Sequence, residues 1–281
     1  MQNRALVEAP ELSSLLASVT PPLVLDVRWS LAGSDLPGYA AGHVPGAVFC
    51  DLDADLAAPP GEGGRHPLPS AEAMTATLRR LGVDPGRTVV VYDAGVGASA
   101  ARAWWCLRWA GHADVRVLDG GLAAWRAAGG QLEVGDVAAA PRPEAVARLG
   151  GMAVATVDDV VAGRAGTLLD ARAAERYRGE VEPVDPVAGH IPGAVSCPTT
   201  LLQRPDGRYR PAPELRALLA GLIGSSAPDG PVTAYCGSGV TASQIVLAAH
   251  DAGLDLALYP GSWSHWVRDP ARPVATGEGT G

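Results

Sequence analysis

The chain is built twice. Leu25-Asp26-Val27-Arg28 returns 144 residues later as Leu169-Asp170-Ala171-Arg172. Gly42-His43-Val44-Pro45-Gly46-Ala47-Val48 returns after 147 residues as Gly189-His190-Ile191-Pro192-Gly193-Ala194-Val195. Val89-Val90-Val91-Tyr92-Asp93 matches Val232-Thr233-Ala234-Tyr235-Cys236 at 143, and Asp119-Gly120-Gly121-Leu122-Ala123-Ala124-Trp125 matches Pro260-Gly261-Ser262-Trp263-Ser264-His265-Trp266 at 141. Four matches in one order at a nearly constant offset describe a duplicated domain and not a short-period solenoid. Only the second copy has a cysteine at the end of its apolar run; the first has Asp93 there.

A length of 281 residues suits two domains of ordinary size. We expect the first over residues 1–132, a linker over 133–152 rich in Ala, Pro and Gly, and the second over 153–281. Hydrophobic residues make up 47 % of the chain and charged residues 19 %, enough for a packed core and against global disorder. A net charge of −8 argues against a nucleic-acid surface. No apolar run reaches the roughly 18 residues that span a membrane, and the N-terminal stretch lacks a basic start followed by an apolar segment. The expected location is cytoplasmic. Cys50, Cys106, Cys197 and Cys236 form no CxxC pair, so neither a zinc site nor a disulfide framework is expected.

Within each copy, short apolar runs alternate with helical patterns. LVLDVR and TLLDAR read as buried strands. Ser70 reads as the N-cap of a helix over 71–81, with Glu72 in its first turn and Gly82 past its end. VTAYC, a Gly-rich loop and a helical stretch from Ala242 to His250 read as strand, loop, helix. The expected fold class is α/β, with a mainly parallel sheet wrapped by helices in each of two tandem domains. Such sheets place their sites at the carboxyl ends of strands, where Cys236 falls.

Cys236 opens the run CGSGVTAS. A free thiol is mostly protonated at neutral pH, and backbone N–H groups at a helix start favour the thiolate. Gly237 and Gly239 allow the backbone to curl into an anion-binding nest, with Val240 completing the turn, and Ser238 and Thr241 add hydroxyl donors. No Lys or Arg lies in the loop. Cys236 therefore reads as a nucleophile, whereas Cys50, Cys197 and Cys106 sit in apolar company and read as packing residues.

Taken together, the GHVPGA and GHIPGA motifs, DGGLAAW and PGSWSHW, and the single loop cysteine resemble the rhodanese superfamily in its tandem-domain form, over almost the whole chain. CGSGVTA is similar to the loop of 3-mercaptopyruvate sulfurtransferases more than to the basic loop of thiosulfate sulfurtransferases. The resemblance implies a catalytic second domain and a first domain that has lost its cysteine and helps form the cleft. It implies a ping-pong reaction through a Cys236 persulfide, with pyruvate released and the outer sulfur passed to a thiol, a thioredoxin-like protein or cyanide. No metal, cofactor, nucleic acid or membrane is implied, and the oligomeric state is left open.

The resemblance also implies a proton relay of Ser238, His66 and Asp53, with Asp51 as a rival for the aspartate. Arg176 is similar to the arginine that binds the donor's anionic group, and Arg172 and Arg28 to residues that tie down their own loops. His43 and His190 belong to the repeated turn and read as structural, and Trp266, with its counterpart Trp125, as core. One departure stands out. Where family members carry a second substrate arginine in a Pro-Glu-Pro-Arg element, this chain has Glu182-Pro183-Val184-Asp185, which leaves either Arg178 to compensate or a single arginine to hold the carboxylate. The rival readings are a thiosulfate sulfurtransferase and a non-catalytic sulfur-relay module. A Cys-x5-Arg phosphatase or a related arsenate reductase is disfavoured, because Ala242 stands where the phosphatase arginine is needed.

Overall fold

The computed structural model describes residues 4–224 and 230–279 and divides the chain into two compact units. The first takes Met1–Ala58, Leu68–Met152 and Asp206–Arg208; the second takes Pro59–Pro67, Ala153–Pro205 and Tyr209–Gly281. The expected domain ends at residues 1 and 281 lie outside the described residues. Two short segments thus sit apart from the expected linear division, and Pro59–Pro67 matters for the site.

The first unit contains β1 (Leu6–Val7), α1 (Ala9–Leu16), β2 (Leu23–Asp26), β3 (Trp29–Ser30), β4 (Gly33–Ser34), α2 (Leu36–Ala41), β5 (Val48–Phe49), α3 (Leu52–Asp55), α4 (Ala71–Leu81), β6 (Val89–Tyr92), α5 (Ala98–Trp109), β7 (Val115–Leu118) and α6 (Gly121–Ala127). Its sheet runs β1-β7-β6-β2-β5 with every pair parallel. β3 and β4 form a small antiparallel ribbon. Every residue of β2 and of β6 is buried, as expected for strands covered on both faces, and this is why their sequences read as unbroken apolar runs. α5 is buried nearly all round, with Trp104 and Trp105 both inaccessible. α4 lies at the surface and buries one stripe, Met74, Thr77, Leu78 and Leu81. The Ser70 side chain accepts from the Ala73 N–H at its start, a cap that contributes about 1 kcal/mol.

The second unit contains α7 (Val157–Val161), β8 (Thr167–Asp170), α8 (Ala174–Arg178), β9 (Val195–Ser196), a 3-10 turn (Thr199–Leu201), α9 (Ala212–Ile223), β10 (Val232–Tyr235), α10 (Ala242–Asp251), β11 (Ala257–Leu258) and α11 (Ser262–Trp266). Its parallel sheet runs β11-β10-β8-β9. Val154 pairs in parallel with Leu258, taking the place on β11 that β1 takes on β7. The cores repeat as well: Tyr92, Val44, Ala47 and Trp125 in one cluster, Tyr235, Ile191, Ala194 and Trp266 in the other.

The expected linker forms no helix or strand. It follows the first unit: Glu133 pairs with His43, and the N–H groups of Arg142, Arg148 and Gly151 donate to the carbonyls of Arg79, Ala110 and Trp109. Among the described residues no helix is long and apolar enough to cross a membrane.

Candidate active site

β10 is fully buried and ends at Tyr235, so its next residue, Cys236, emerges at the carboxyl edge of the sheet beside the start of α10. Cys236 is 2 % exposed. Its Sγ accepts the Gly239 N–H at 3.1 Å. Gly239 has φ +79°, and a Cβ there would stand 2.5 Å from the Pro260 carbonyl oxygen, so no other residue fits. The loop is tied to α11 from below. The N–H groups of Trp263 and Ser264 donate to the carbonyls of Cys236 and Gly237 at 2.9 Å each. The Cys236 N–H donates to Ser262 Oγ at 3.1 Å, and that hydroxyl donates to the Tyr259 carbonyl at 2.8 Å.

The other three thiols have no such setting. Cys50, Cys106 and Cys197 are inaccessible, and burial pushes all three up, Cys197 to about 12. They are packing residues.

Pro59–Pro67 brings two further side chains to the loop. Gly61 and Gly64 exchange N–H to carbonyl bonds of 3.0 Å and close a turn. Gly64 has φ +106°, and a Cβ there would lie 2.8 Å from the Gly261 carbonyl and 2.9 Å from Ser264 Oγ, so this turn lies directly on the start of α11. The Arg65 N–H donates to Ser264 Oγ at 3.1 Å. His66 follows, with Nδ1 2.7 Å from Ser238 Oγ. Ser238 is 7 % exposed. The structure therefore brings together Cys236, Ser238 and His66, a cysteine loop with an imidazole–hydroxyl pair. Asp53 lies in the other unit, its carboxylate accepting from Trp29 Nε1 at 2.9 Å. Asp51 is the N-cap of α3 and accepts from the N–H groups of Asp53 and Ala54.

Two guanidiniums stand over Gly237. A Cβ on Gly237 would lie 2.8 Å from Arg65 Nη2 and 3.7 and 3.8 Å from the terminal nitrogens of Arg176. Arg176, in the last turn of α8, donates through Nη2 to Glu182 Oε1 at 2.6 Å and through Nε to Glu182 Oε2 at 3.2 Å. The Glu182-Pro183-Val184-Asp185 element thus supplies two buried carboxylates. Glu182 also accepts from the N–H groups of Val184 and Asp185. Asp185 pairs with Arg65 and, at 3.5 Å, with Arg176. Burial works to raise the Glu182 carboxyl, but the bond from Arg176 and the two amides outweigh it and hold it below the usual range. Arg178, the residue expected to compensate for the absent arginine, donates through Nε and Nη2 to the two carboxylate oxygens of Glu180 at 2.8 Å each, and it is Arg65 that stands beside Arg176 at the loop. Sequence reading missed Arg65. Its only local signal was its place next to His66.

The repeated residues do structural work. Arg28 bonds Asp26 and the carbonyls of Gly38 and Gly42, and Arg172 bonds Asp170 and the Gly189 carbonyl. His43 stacks on Tyr39 and His190 on Tyr177, each ring Nδ1 bonded to that tyrosine's carbonyl. Trp125 and Trp266 are buried. Among the described residues no group of His, Cys, Asp and Glu is arranged to hold a metal ion.

The Rhodanese-like domain family matches residues 8–128 and 156–269. A Mycobacterium tuberculosis protein that carries the name of a thiosulfate sulfurtransferase, SseB, is 46 % identical over 98 % of both chains. A Pseudomonas aeruginosa protein that carries the name of a 3-mercaptopyruvate sulfurtransferase is 44 % identical, over 99 % of this chain and all of its own. The crystal structure of SseA from Escherichia coli, a 3-mercaptopyruvate sulfurtransferase, matches with a TM-score of 0.79 at 35 % identity, over 93 % of this chain and 99 % of that one. Duplicated parallel sheets, a cysteine at the end of a buried strand and relatives of the same length lead to one conclusion: this chain belongs to the rhodanese family, as a tandem-domain sulfurtransferase.

Proposed function

We propose that the protein moves the sulfur of 3-mercaptopyruvate to a thiol acceptor through a persulfide on Cys236. The observation that carries this reading is the convergence on one short loop of the Gly239 N–H at Cys236 Sγ, the Ser238–His66 pair, and two guanidiniums over Gly237. A donor with a carboxylate two carbons from its sulfur-bearing carbon needs those three things: a thiolate, a proton source and a planar cation for the carboxylate.

In the first half-reaction the Cys236 thiolate attacks the donor sulfur. An S–S bond forms and the donor's C–S bond breaks, its electron pair passing to carbon as the enolate of pyruvate. The Ser238–His66 pair supplies the proton that converts enolate to pyruvate. Cys236 is left as a persulfide whose negative outer sulfur is stabilised by loop N–H groups. In the second half-reaction a thiolate, either a small thiol or a thioredoxin-like protein, or cyanide, attacks the outer sulfur, and the Cys236 thiolate leaves.

Thiosulfate is the competing donor, favoured by the name of the SseB relative. Two observations favour mercaptopyruvate. The loop itself carries no cation at Gly237 or Ser238, and the arginines over it are each matched by a buried carboxylate, which leaves little excess positive charge for a dianion. The test is kcat/KM for both donors with one thiol acceptor. A large preference for mercaptopyruvate is expected. A preference for thiosulfate overturns the donor, and turnover of neither turns the reading towards a sulfur-relay module.

A further inference from the structure

We infer that Ser262 is a positioning residue for the sulfur-transfer step: its hydroxyl, carried on a strained backbone turn, fixes the main chain of Cys236 and with it the place of Sγ. The inference rests on the reading of Cys236 as the nucleophile. Ser262 is inaccessible and opens α11, in the same compact unit as the cysteine loop.

Three observations carry it. The first is strain. Among the described residues Ser262 is the one non-glycine residue with a positive φ, at +54°. An L side chain is disfavoured there, and such an outlier persists only where its surroundings enforce it. The second is the other copy. Its counterpart Gly121 turns the same way, at φ +56°, and a Cβ on it would stand 2.5 Å from the Asp93 carbonyl oxygen. Glycine is what this turn asks of the backbone, and the copy that has the cysteine has a serine instead. The third is the place of the hydroxyl. β10 and β11 pair in parallel, with Thr233 opposite Ala257 and Ala234 opposite Leu258, and the Tyr259 N–H donates to the Ala234 carbonyl. The next step of a regular parallel ladder sends the Cys236 N–H to the Tyr259 carbonyl. Here the Cys236 N–H donates to Ser262 Oγ at 3.1 Å, and that hydroxyl donates to the Tyr259 carbonyl at 2.8 Å. One hydroxyl is inserted into the ladder at the point where the nucleophile leaves the sheet.

The insertion fixes the cysteine from both sides. The Cys236 carbonyl accepts the Trp263 N–H at 2.9 Å, so consecutive residues of α11 hold the two backbone groups that flank the cysteine Cα. With that Cα held, Sγ stays where it accepts the Gly239 N–H. Without the hydroxyl, the Cys236 N–H and the Tyr259 carbonyl face each other across a gap that neither fills. The cysteine then shifts towards the carbonyl or loses its anchor, and in both cases Sγ moves relative to Ser238 and His66. Reactions between positioned groups slow steeply with such displacements.

The test compares wild type, Ser262→Gly and Ser262→Ala in the donor half-reaction, read as single-turnover pyruvate release, together with their melting temperatures. Both substitutions remove the hydroxyl. Alanine keeps a Cβ at the left-handed φ and glycine relieves it, so Ser262→Gly should fold and melt above Ser262→Ala. The rate should not follow that order. Both variants are expected to lose about tenfold or more in limiting rate, with half-saturation for 3-mercaptopyruvate within about twofold of wild type. A limiting rate within about twofold of wild type in Ser262→Gly overturns the inference and leaves Ser262 a structural residue. Absence of pyruvate from the wild type sinks the donor reading instead. In that event hydrogen exchange of the Cys236 amide, followed by NMR, decides the role of Ser262. Exchange about tenfold or more faster in Ser262→Gly, with the Tyr235 amide unchanged, upholds the hold on the cysteine, and equal exchange overturns it.

Discussion

Asp93 and Cys236 stand at the same place in two copies of one domain, and the two loops do opposite things with the same scaffold. The Asp93 carboxylate accepts four backbone N–H groups, from Gly95, Gly97, Ser99 and Ala100, at 2.9 to 3.1 Å. It is a resident acceptor in a filled nest. Burial pushes its carboxyl up, and the four amides pull against that. Cys236 Sγ takes one N–H, from Gly239, in a loop that carries Ser238 and is faced by His66, Arg65 and Arg176 from other segments. The first loop is closed by its own side chain; under the proposed reaction the second receives charge that comes and goes. Below each, the chain makes the same left-handed turn, φ +56° at Gly121 and +54° at Ser262. Only the second uses a residue with a hydroxyl, bearing the strain of that φ to hold the Cys236 N–H.

The largest effect tests whether one loop can stand in for the other. Cys236→Ser should reduce turnover by about 10⁴-fold or more, with a melting temperature close to wild type, since oxygen replaces sulfur in a packed site. Adding Asp93→Cys to that protein should restore nothing, because the first loop has Ala94 and Gly95 in place of the Gly-Ser of the second. Recovered turnover would show that the loop alone is sufficient. His66→Gln should lower kcat by about 10² or more in the donor half-reaction, read as pyruvate release in a single turnover. An unchanged rate would remove the imidazole from the proton path.

Asp93→Ala reverses the emphasis: stability should fall by about 3 kcal/mol as four buried donors lose their acceptor, seen as a lower denaturation midpoint, while kcat/KM per folded molecule stays near wild type. Loss of activity without loss of stability would give the first loop a direct part in turnover. The smallest effect is in pH. The Glu182 carboxyl lies below its ordinary value, so its contribution is fully present above about 4.3 and is lost as pH falls through the lower folded value. The melting-temperature gap between wild type and Glu182→Gln should therefore be widest above that pH and close in acid. A gap that widens in acid would give the shift the opposite sign.

Much of this was legible in the sequence, for identifiable reasons. Strands buried on both faces leave apolar runs, so β2, β6, β8 and β10 could be read directly. Motifs present in both copies, such as His43 and His190 or Arg28 and Arg172, could be assigned to structure because one copy lacks the cysteine. What was not legible depends on contacts between distant segments. Arg65 and Asp185 are 120 positions apart, and neither is repeated in the other copy. Arg176 and Arg178 lie two residues apart on a five-residue helix, and their roles are divided by which glutamate each meets, Glu182 or Glu180. The strained turn at Ser262, φ +54°, is a property of the backbone that no residue pattern marks.

The most direct measurement is the mass of each cysteine-containing peptide after the protein reacts with 3-mercaptopyruvate in the absence of acceptor. The account predicts that the peptide bearing Cys236 gains one sulfur atom, that a thiol acceptor removes it, and that the peptides bearing Cys50, Cys106 and Cys197 do not change. Sulfur on any of those three, or pyruvate released with Cys236 unmodified throughout, would contradict it.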